Sequence, residues 1–526
     1  MGEGSETGAR LAELLAALSL GIDLGFGQPM EHVLRQCRIA MRLCELAGAG
    51  EGARAAAYYS ALLVNVGCHT DAYEQVQWFG DDIALKAMKY AEAAGKLAEL
   101  ARLLRLLGSG ARPLHRLRVG FEFALGGHKQ VEAMIAQHAK LARSLGDELG
   151  LPPGALDALG ASYERWDGKG WPGEREGERI PLAARVIQLA EFAEVAHRNH
   201  GIGGAIEVAG RGSATQFDPN LVAILRADAE KIFRSLDELS SWEAVLAGEP
   251  AWRVLSAAEL DEALAAIARF VDLKSPFMLG HSQAVATLAR DAAACLDLPA
   301  AERTRLYRAG LTAGFGRLGV SNAIWDKPGP LTVAEWERVR LAPQLAERML
   351  RRSAALAPIA SLVGQQRERL DGSGYPAGLA GGAIPPAARL LAAADSYQAM
   401  LEPRPHRPAR SASEAAAELR GDARAGRLDP EAVAAVLAAA GHRVARRRAN
   451  VAGLTAREID VLRLAVRGLS NKQIAASLVV APKTVGNHIE HIYTKIGVSN
   501  RAGAALFAMR NGLLPDTGPH TEVPTG

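Results

Sequence analysis

Residues 164–172 read Glu-Arg-Trp-Asp-Gly-Lys-Gly-Trp-Pro, and residues 368–376 read Glu-Arg-Leu-Asp-Gly-Ser-Gly-Tyr-Pro. The offset is 368 − 164 = 204, and it persists from Ile180 (Ile-Pro-Leu-Ala-Ala-Arg-Val-Ile) to Ile384 (Ile-Pro-Pro-Ala-Ala-Arg-Leu-Leu). Glycine and proline set the turn in both loops, which is a structural reason for the shared wording. Upstream, His32 and His281 each start an amphipathic stretch. Leu62–Gly67 (Leu-Leu-Val-Asn-Val-Gly) aligns with Leu311–Gly316 (Leu-Thr-Ala-Gly-Phe-Gly) at an offset of 249, so the first copy carries about 249 − 204 = 45 extra residues between Asn65 and Glu164. Two copies of one Ala/Leu-rich, mostly helical domain therefore account for nearly everything before residue 443.

The chain of 526 residues is too long for a single core. Hydrophobic residues make up 49% and charged residues 23%, as in ordinary globular proteins. No apolar run of membrane-spanning length and no secretory leader pattern is evident, so a cytoplasmic protein without membrane attachment is expected. Cys37, Cys44, Cys68 and Cys295 fit no zinc spacing and read as reduced thiols. The net charge of +3 hides an asymmetry. Residues 441–514 hold twelve Lys/Arg against Glu458, Asp460 and Glu490, a local +9, which leaves −6 for the rest. A small basic module on an acidic body suits a phosphate-rich partner.

That module begins at Leu454. Thr455 with Glu458 forms a capping box ahead of Ile459, Leu462 and Val466 at helical spacing. Gly468 ends this helix, and Ser470 with Gln473 opens a second, short one. Pro482 suits the first position of a third helix, whose inner face is Val485, Ile489, Ile492 and Ile496. Gly497 closes it, and a fourth helix runs from about Asn500 to Asn511. A short helix, a tight turn and a helix with a polar outer face make a helix-turn-helix, whose second helix enters the major groove.

The words Leu-Thr-x-Arg-Glu, Gly-Leu-Ser-Asn-Lys-x-Ile-Ala and Lys-Thr-Val-x-x-His-Ile-x-x-Ile-Tyr-x-Lys-Ile-Gly-Val resemble the LuxR-type DNA-binding domain throughout residues 454–514. The resemblance implies that Lys483, Thr484, Asn487 and His488 reach bases or nearby phosphates, and that Asn471, Lys472 and Lys495 hold backbone phosphates. Ala481 departs from it, standing where the family usually has a capping side chain.

The repeated words of the body resemble the HD-GYP branch of the HD phosphohydrolases, an all-helical fold. The second copy is the better match, with Lys-Pro-Gly-Pro-Leu-Thr at Lys327, Arg-Pro-His-Arg at Arg404 and Leu-Asp-Pro at Leu428. The resemblance implies metal ions held by histidines and aspartates, which make hydroxide and clamp a phosphate. Residue by residue, His281 and Asp395 are kept. The His-Asp pair falls on Ala313-Gly314, a further histidine on Ala342, and the His-His pair on Gln366-Arg367. In the first copy His32 remains, while Val64-Asn65, Ser162-Tyr163 and Glu191 take the other positions.

The expectation is thus an all-α chain. A first HD-GYP-like copy occupies 1–245, with its insertion at about 70–160, and a second occupies 250–442. A basic linker follows over 443–453, then the LuxR-type domain over 454–514 and a disordered tail over 515–526. The chain is expected not to be an enzyme, holding neither metal nor cofactor, with His281, Asp395, Glu368 and Arg367 as residual pocket polars. Its function is then transcriptional regulation. Double-stranded DNA is the partner, a nucleotide-like effector would meet Arg367 and Arg369, and the state is a homodimer. The competing reading is a metal-dependent phosphodiesterase, acting on cyclic di-GMP or another phosphoester, fused to the DNA-binding domain.

Overall fold

The computed structural model describes residues 8–90, 105–108, 113–123, 128–238, 240–441 and 452–514. Most of the expected linker and the whole of the expected tail lie outside these residues. The described chain is all-α, two tandem HD-like domains followed by a four-helix LuxR-type domain, and its one sheet pairs Ala9–Arg10 with Val254–Leu255. Among the described residues, no helix is long and apolar enough to cross a membrane. The chain divides into two compact units, the first built mainly from residues 1–266 and the second mainly from residue 267 onward.

In the first unit, α1 (Leu11–Gly25) is buried at 13 of its 15 positions, as expected of a helix that is apolar all round. Around it pack α2 (His32–Leu46) and α3 (Glu51–Leu63). The unit also contains α4 (His128–Glu148) and α5 (Leu182–Gly212), the latter kinked at Gly201. In the second unit the corresponding elements are α6 (His281–Cys295), α7 (Ala300–Thr312), α8 (Val333–Leu350) and α9 (Pro386–Leu401).

Two local devices recur, and the first of them places His32 and His281. Both α2 and α6 begin at the histidine, after a left-handed residue: Glu31 at φ 80 and Gly280 at φ 78. A buried carboxylate ends the preceding segment and accepts the second helical amide, Val33 N to Asp23 Oδ1 at 3.0 Å and Ser282 N to Asp272 Oδ2 at 2.8 Å. Each carboxylate satisfies an otherwise orphaned amide and fixes where the histidine leaves the helix.

The second device is a close helix approach. A Cβ on Gly67 would overlap the His138 carbonyl and lie 2.9 Å from its Cα, and one on Gly316 would overlap the Ala342 carbonyl and lie 2.7 Å from its carbon. No side chain fits at either position. The pairs also fix a register, because 342 − 138 = 204, the offset of the repeated loops.

The repeated loops themselves are held by their first residue. Glu164 accepts amides from Gly173, Glu174 and Arg175, and Glu368 accepts those of Ala377 and Leu379. Gly170 and Gly374 lie against the backbones of Glu164 and Glu368, where a Cβ would come within 2.5 Å of main-chain carbons.

The DNA-binding module consists of α10 (Ala456–Val466), α11 (Asn471–Leu478), α12 (Pro482–Ile496) and α13 (Arg501–Arg510). Both capping boxes read from the sequence are formed, and Asn500 caps α13. Ala481 supplies no cap to α12, an absence worth about 1 kcal/mol.

Candidate functional site

In the second unit a polar cluster gathers on His281, which is 1% exposed. Its Nδ1 is 2.8 Å from Glu402 Oε2 and its Nε2 is 3.2 Å from Asp395 Oδ1. Burial alone would discharge the imidazole, but the Glu402 charge and the two hydrogen bonds raise its pKa, which favours the doubly protonated ring. Glu402 is correspondingly held at about 2 against its own burial by the His281 and Arg404 charges. Burial likewise works against the Asp395 carboxylate, and Arg367 and His281 outweigh it and keep it ionised.

Arg367 donates from Nη2 to Asp395 Oδ1 at 3.2 Å and places Nη1 2.9 Å from Oδ2 as an ion-pair contact. Gln366 gives its amide to the Ala313 carbonyl at 2.9 Å. A Cβ on Gly314 would meet Arg317 Nη1 at 3.4 Å, so the arginine lies beside the space a side chain at 314 would take. Arg317 is 8% exposed, stands 3.5 Å from Asp272, and its Nη1 has no hydrogen-bond partner.

A cavity of about 760 Å³ opens beside these groups. Its lining holds Lys274, Arg317, Lys327, Arg367, Arg404 and Arg407 against the single acid Asp326, with Phe277, Trp325, Trp336 and Tyr375 as aromatic surfaces. Of the residues expected in the pocket, His281, Asp395 and Arg367 come together. Glu368 is instead turned to bracing its loop, and Arg369 bonds Ser396 and its neighbour's carbonyl. Lys274, Arg317, Arg404, Arg407 and the tryptophans were not read from the sequence as pocket residues.

The first unit builds the same place differently. His32 Nδ1 is 2.5 Å from Glu194. Glu191, the counterpart of Asp395 at the 204 offset, accepts Lys89 Nζ at 2.6 Å, Asn65 Nδ2 at 2.7 Å and the Tyr90 hydroxyl at 2.7 Å. Lys89 also reaches Asn65 Oδ1 at 3.1 Å. Asp23 is forced up to about 7 by burial. His138 and Lys89 both lie within the expected insertion at 70–160, which hid them. The offset is the signal that would have found His138, since it aligns with Ala342, where the second copy lacks the family's histidine.

On the DNA-binding module, Lys483, Thr484 and Asn487 are exposed along α12 and His488 is half-buried beside them. Asn471 and Lys472 are exposed on the first turn of α11. Lys495 is exposed too, but its Nζ is bonded to Glu458 at 2.7 and 2.8 Å and to the Gly453 carbonyl at 3.2 Å. Val485 and Ile492 face inward at 0% exposure.

Residues 265–432 match the HD domain family, and residues 452–508 match the bacterial regulatory proteins of the luxR family. A 3′3′-cGAMP-specific phosphodiesterase of Vibrio cholerae is 30% identical over 431 residues, 81% of this chain and 94% of that protein. The chain belongs to the HD-GYP phosphodiesterase family.

A solved structure of a cyclic GMP-AMP-specific phosphodiesterase of V. cholerae matches this HD-GYP protein with a TM-score of 0.58 at 25% identity, covering 83% of this chain and 99% of the other. A cyclic di-GMP phosphodiesterase of Pseudomonas aeruginosa is 39% identical over 138 residues, 26% of this chain and 33% of that protein. These relatives overturn the expectation that the chain is not an enzyme, since its kin over nearly their whole length are phosphodiesterases. The expectation had treated lost metal ligands as lost activity, whereas a ligand tally tests only the metal. On that narrower question, the residues of the second copy do not fit the metal centre of the family. Ala313, Gly314 and Ala342 bring no donor side chain, Gln366 bonds a backbone carbonyl, and Arg367 brings a cation to Asp395.

Proposed function

We propose that this HD-GYP protein is a transcriptional regulator whose second HD-GYP domain takes a cyclic dinucleotide and whose LuxR-type module acts on DNA in response. The cavity is the observation that carries this reading. Six cationic side chains face it with one acid, and one arginine donor, Arg317 Nη1, makes no hydrogen bond and is held only by its 3.5 Å ion pair with Asp272. Guanidinium groups recognise phosphate oxygens in a fork, and tryptophan and tyrosine faces accept bases. Two phosphates and two bases are what a cyclic dinucleotide offers, and the V. cholerae relative is named for such a substrate. Phosphodiester hydrolysis is the activity to which the family points.

Coupling to DNA has a physical route within the second unit. The segment from Ser275 to Gly280 lines the cavity through Ser275, Phe277 and Met278. The DNA-binding module packs on the same segment: a Cβ at Gly468 would meet Pro276 at 3.3 Å, and one at Gly280 would meet Leu514 at 3.6 Å. Two modules related by a twofold axis would read half-sites about one DNA turn apart, which makes a homodimer the working state.

The test is equilibrium binding of labelled 3′3′-cGAMP and cyclic di-GMP to the full chain, with chromatography for linear product and DNA-shift titrations on the same samples. Saturable binding that Arg317→Ala weakens by about tenfold or more, with a change in DNA affinity on saturation, is expected. Absence of saturable binding by either nucleotide would overturn the reading, as would a DNA affinity indifferent to a bound nucleotide.

A further inference from the structure

The first unit holds a cluster that the proposed function does not use. Cys68 sits on a single 3-10 turn, Val66–His69, pressed against α4 at the close approach of Gly67. That approach brings His138 Nδ1 to 3.4 Å from Cys68 Sγ, and the Tyr163 hydroxyl stands 2.9 Å from the same sulfur. Register shows what has changed: Cys68 is the counterpart of Arg317 at the 249 offset, and Tyr163 is the counterpart of Arg367 at the 204 offset. The scaffold positions that bring two arginines to the cavity in the second copy bring a nucleophile and a hydroxyl donor here.

We propose that Cys68, with His138 and Tyr163, is a peroxide-reactive thiol site in the first copy. In the reaction the Cys68 sulfur attacks the terminal oxygen of a hydroperoxide. The S–O bond forms as the O–O bond breaks, the sulfur is oxidised to the sulfenic acid, and the peroxide is reduced to an alcohol or water. The departing oxygen takes its proton from His138, the sulfur having given its own to that imidazole beforehand.

The surroundings fit that chemistry. Burial opposes a thiolate, yet His138, Lys89 and the Tyr163 hydroxyl together lower the Cys68 pKa, while Glu191 and Tyr90 belong to Lys89's own network. Within the same network, His32 rests its ring on Tyr90 at 5.4 Å between centroids, and its Nε2 is buried without a hydrogen-bond partner. Cys68 is 7% exposed, so any reagent that reaches its sulfur in the folded protein must be small. The other thiols lack such an environment: burial pushes Cys44 up to about 12 and Cys37 higher still, and Cys295 is simply exposed.

The test exposes the reduced full-length protein to dilute hydrogen peroxide for timed intervals, quenches each sample into denaturant containing dimedone, and reads the labelled peptides by mass spectrometry. Cys68 should be oxidised at least about tenfold faster than the exposed Cys295, and its rate should titrate below the usual thiol range. His138→Gln and, separately, Tyr163→Phe should slow Cys68 alone and leave Cys295 unchanged, so that Cys295 serves as the internal control for peroxide dose. Oxidation of Cys68 no faster than Cys295 in the native wild-type protein would overturn the proposal. So would rates indifferent to both substitutions in variants whose circular dichroism matches wild type.

Discussion

Replacing Arg367 with alanine separates a structural cation from an ornamental one. Its partner Asp395 has a side chain 1% exposed, and the guanidinium meets both carboxylate oxygens at 2.9 and 3.2 Å. Breaking a fully buried pair costs about 3–5 kcal/mol, and an exposed pair about 0–1. The Arg367 side chain is 25% exposed and Asp395 keeps His281 as a second partner, which places the loss in between, at about 2 kcal/mol. Asp395→Asn should cost a similar amount, because it leaves Arg367 and protonated His281 short of charge. The double variant should be less destabilised than the two singles added together, with a coupling of about 1–2 kcal/mol. Urea unfolding of the four proteins at pH 7, followed by circular dichroism, gives the cycle. A coupling below about 0.5 kcal/mol would mean that the guanidinium rests on Asp395 without stabilising it, and the argument for a cation built into that seat would fall.

On the DNA-binding module, Lys483→Ala and Asn487→Ala should each weaken specific binding by about 1–3 kcal/mol in gel-shift titrations, with Asn487→Ala also relaxing base preference. Lys495→Ala should cost fold stability through its Glu458 pair as well as DNA affinity, which thermal unfolding of the free protein would reveal. Asp23 carries a pH signature. Its folded pKa of about 7 lies above the unfolded value, so its contribution is complete below pH 4 and is lost as pH rises toward 7 and beyond, an effect on the order of 3–4 kcal/mol that Asp23→Asn should flatten in urea midpoints at pH 5 and pH 8. Gly316→Ala should destabilise by about 3 kcal/mol or more through the Ala342 carbonyl, while Gly314→Ala, with 3.1 Å to the nearest atom, should cost under about 1 kcal/mol in the same assay.

What could be read from the sequence was local. Thr455 with Glu458, Ser470 with Gln473, and the glycines after α10 and α12 act within a few residues, so their text carries their geometry. The duplicated loops were equally legible, although the role of their glutamate was not. Glu368 reads as a pocket residue by position, and only the fold shows its carboxylate turned to the amides of Ala377 and Leu379. The site was partly hidden for two reasons. Lys89 and His138 come from a stretch that reads as inserted material, and Arg317, Arg404 and Trp336 reach the cavity from separate elements with no shared spacing. Enzyme class escaped because the metal ligands were counted as if they alone decided activity.

The carboxylates Glu191 and Asp395 open a different line of comparison. In one copy the neutralising charge is a lysine from residue 89, and in the other an arginine from residue 367, positions that share neither residue type nor register. What the duplicated halves have in common at this spot is therefore the sign of the electric potential around a carboxylate, supplied by different chemistry in each. Two chains of this organisation could agree in that potential while agreeing in none of the side chains that create it, and a motif scan would call them unrelated where a map of charge would superpose them.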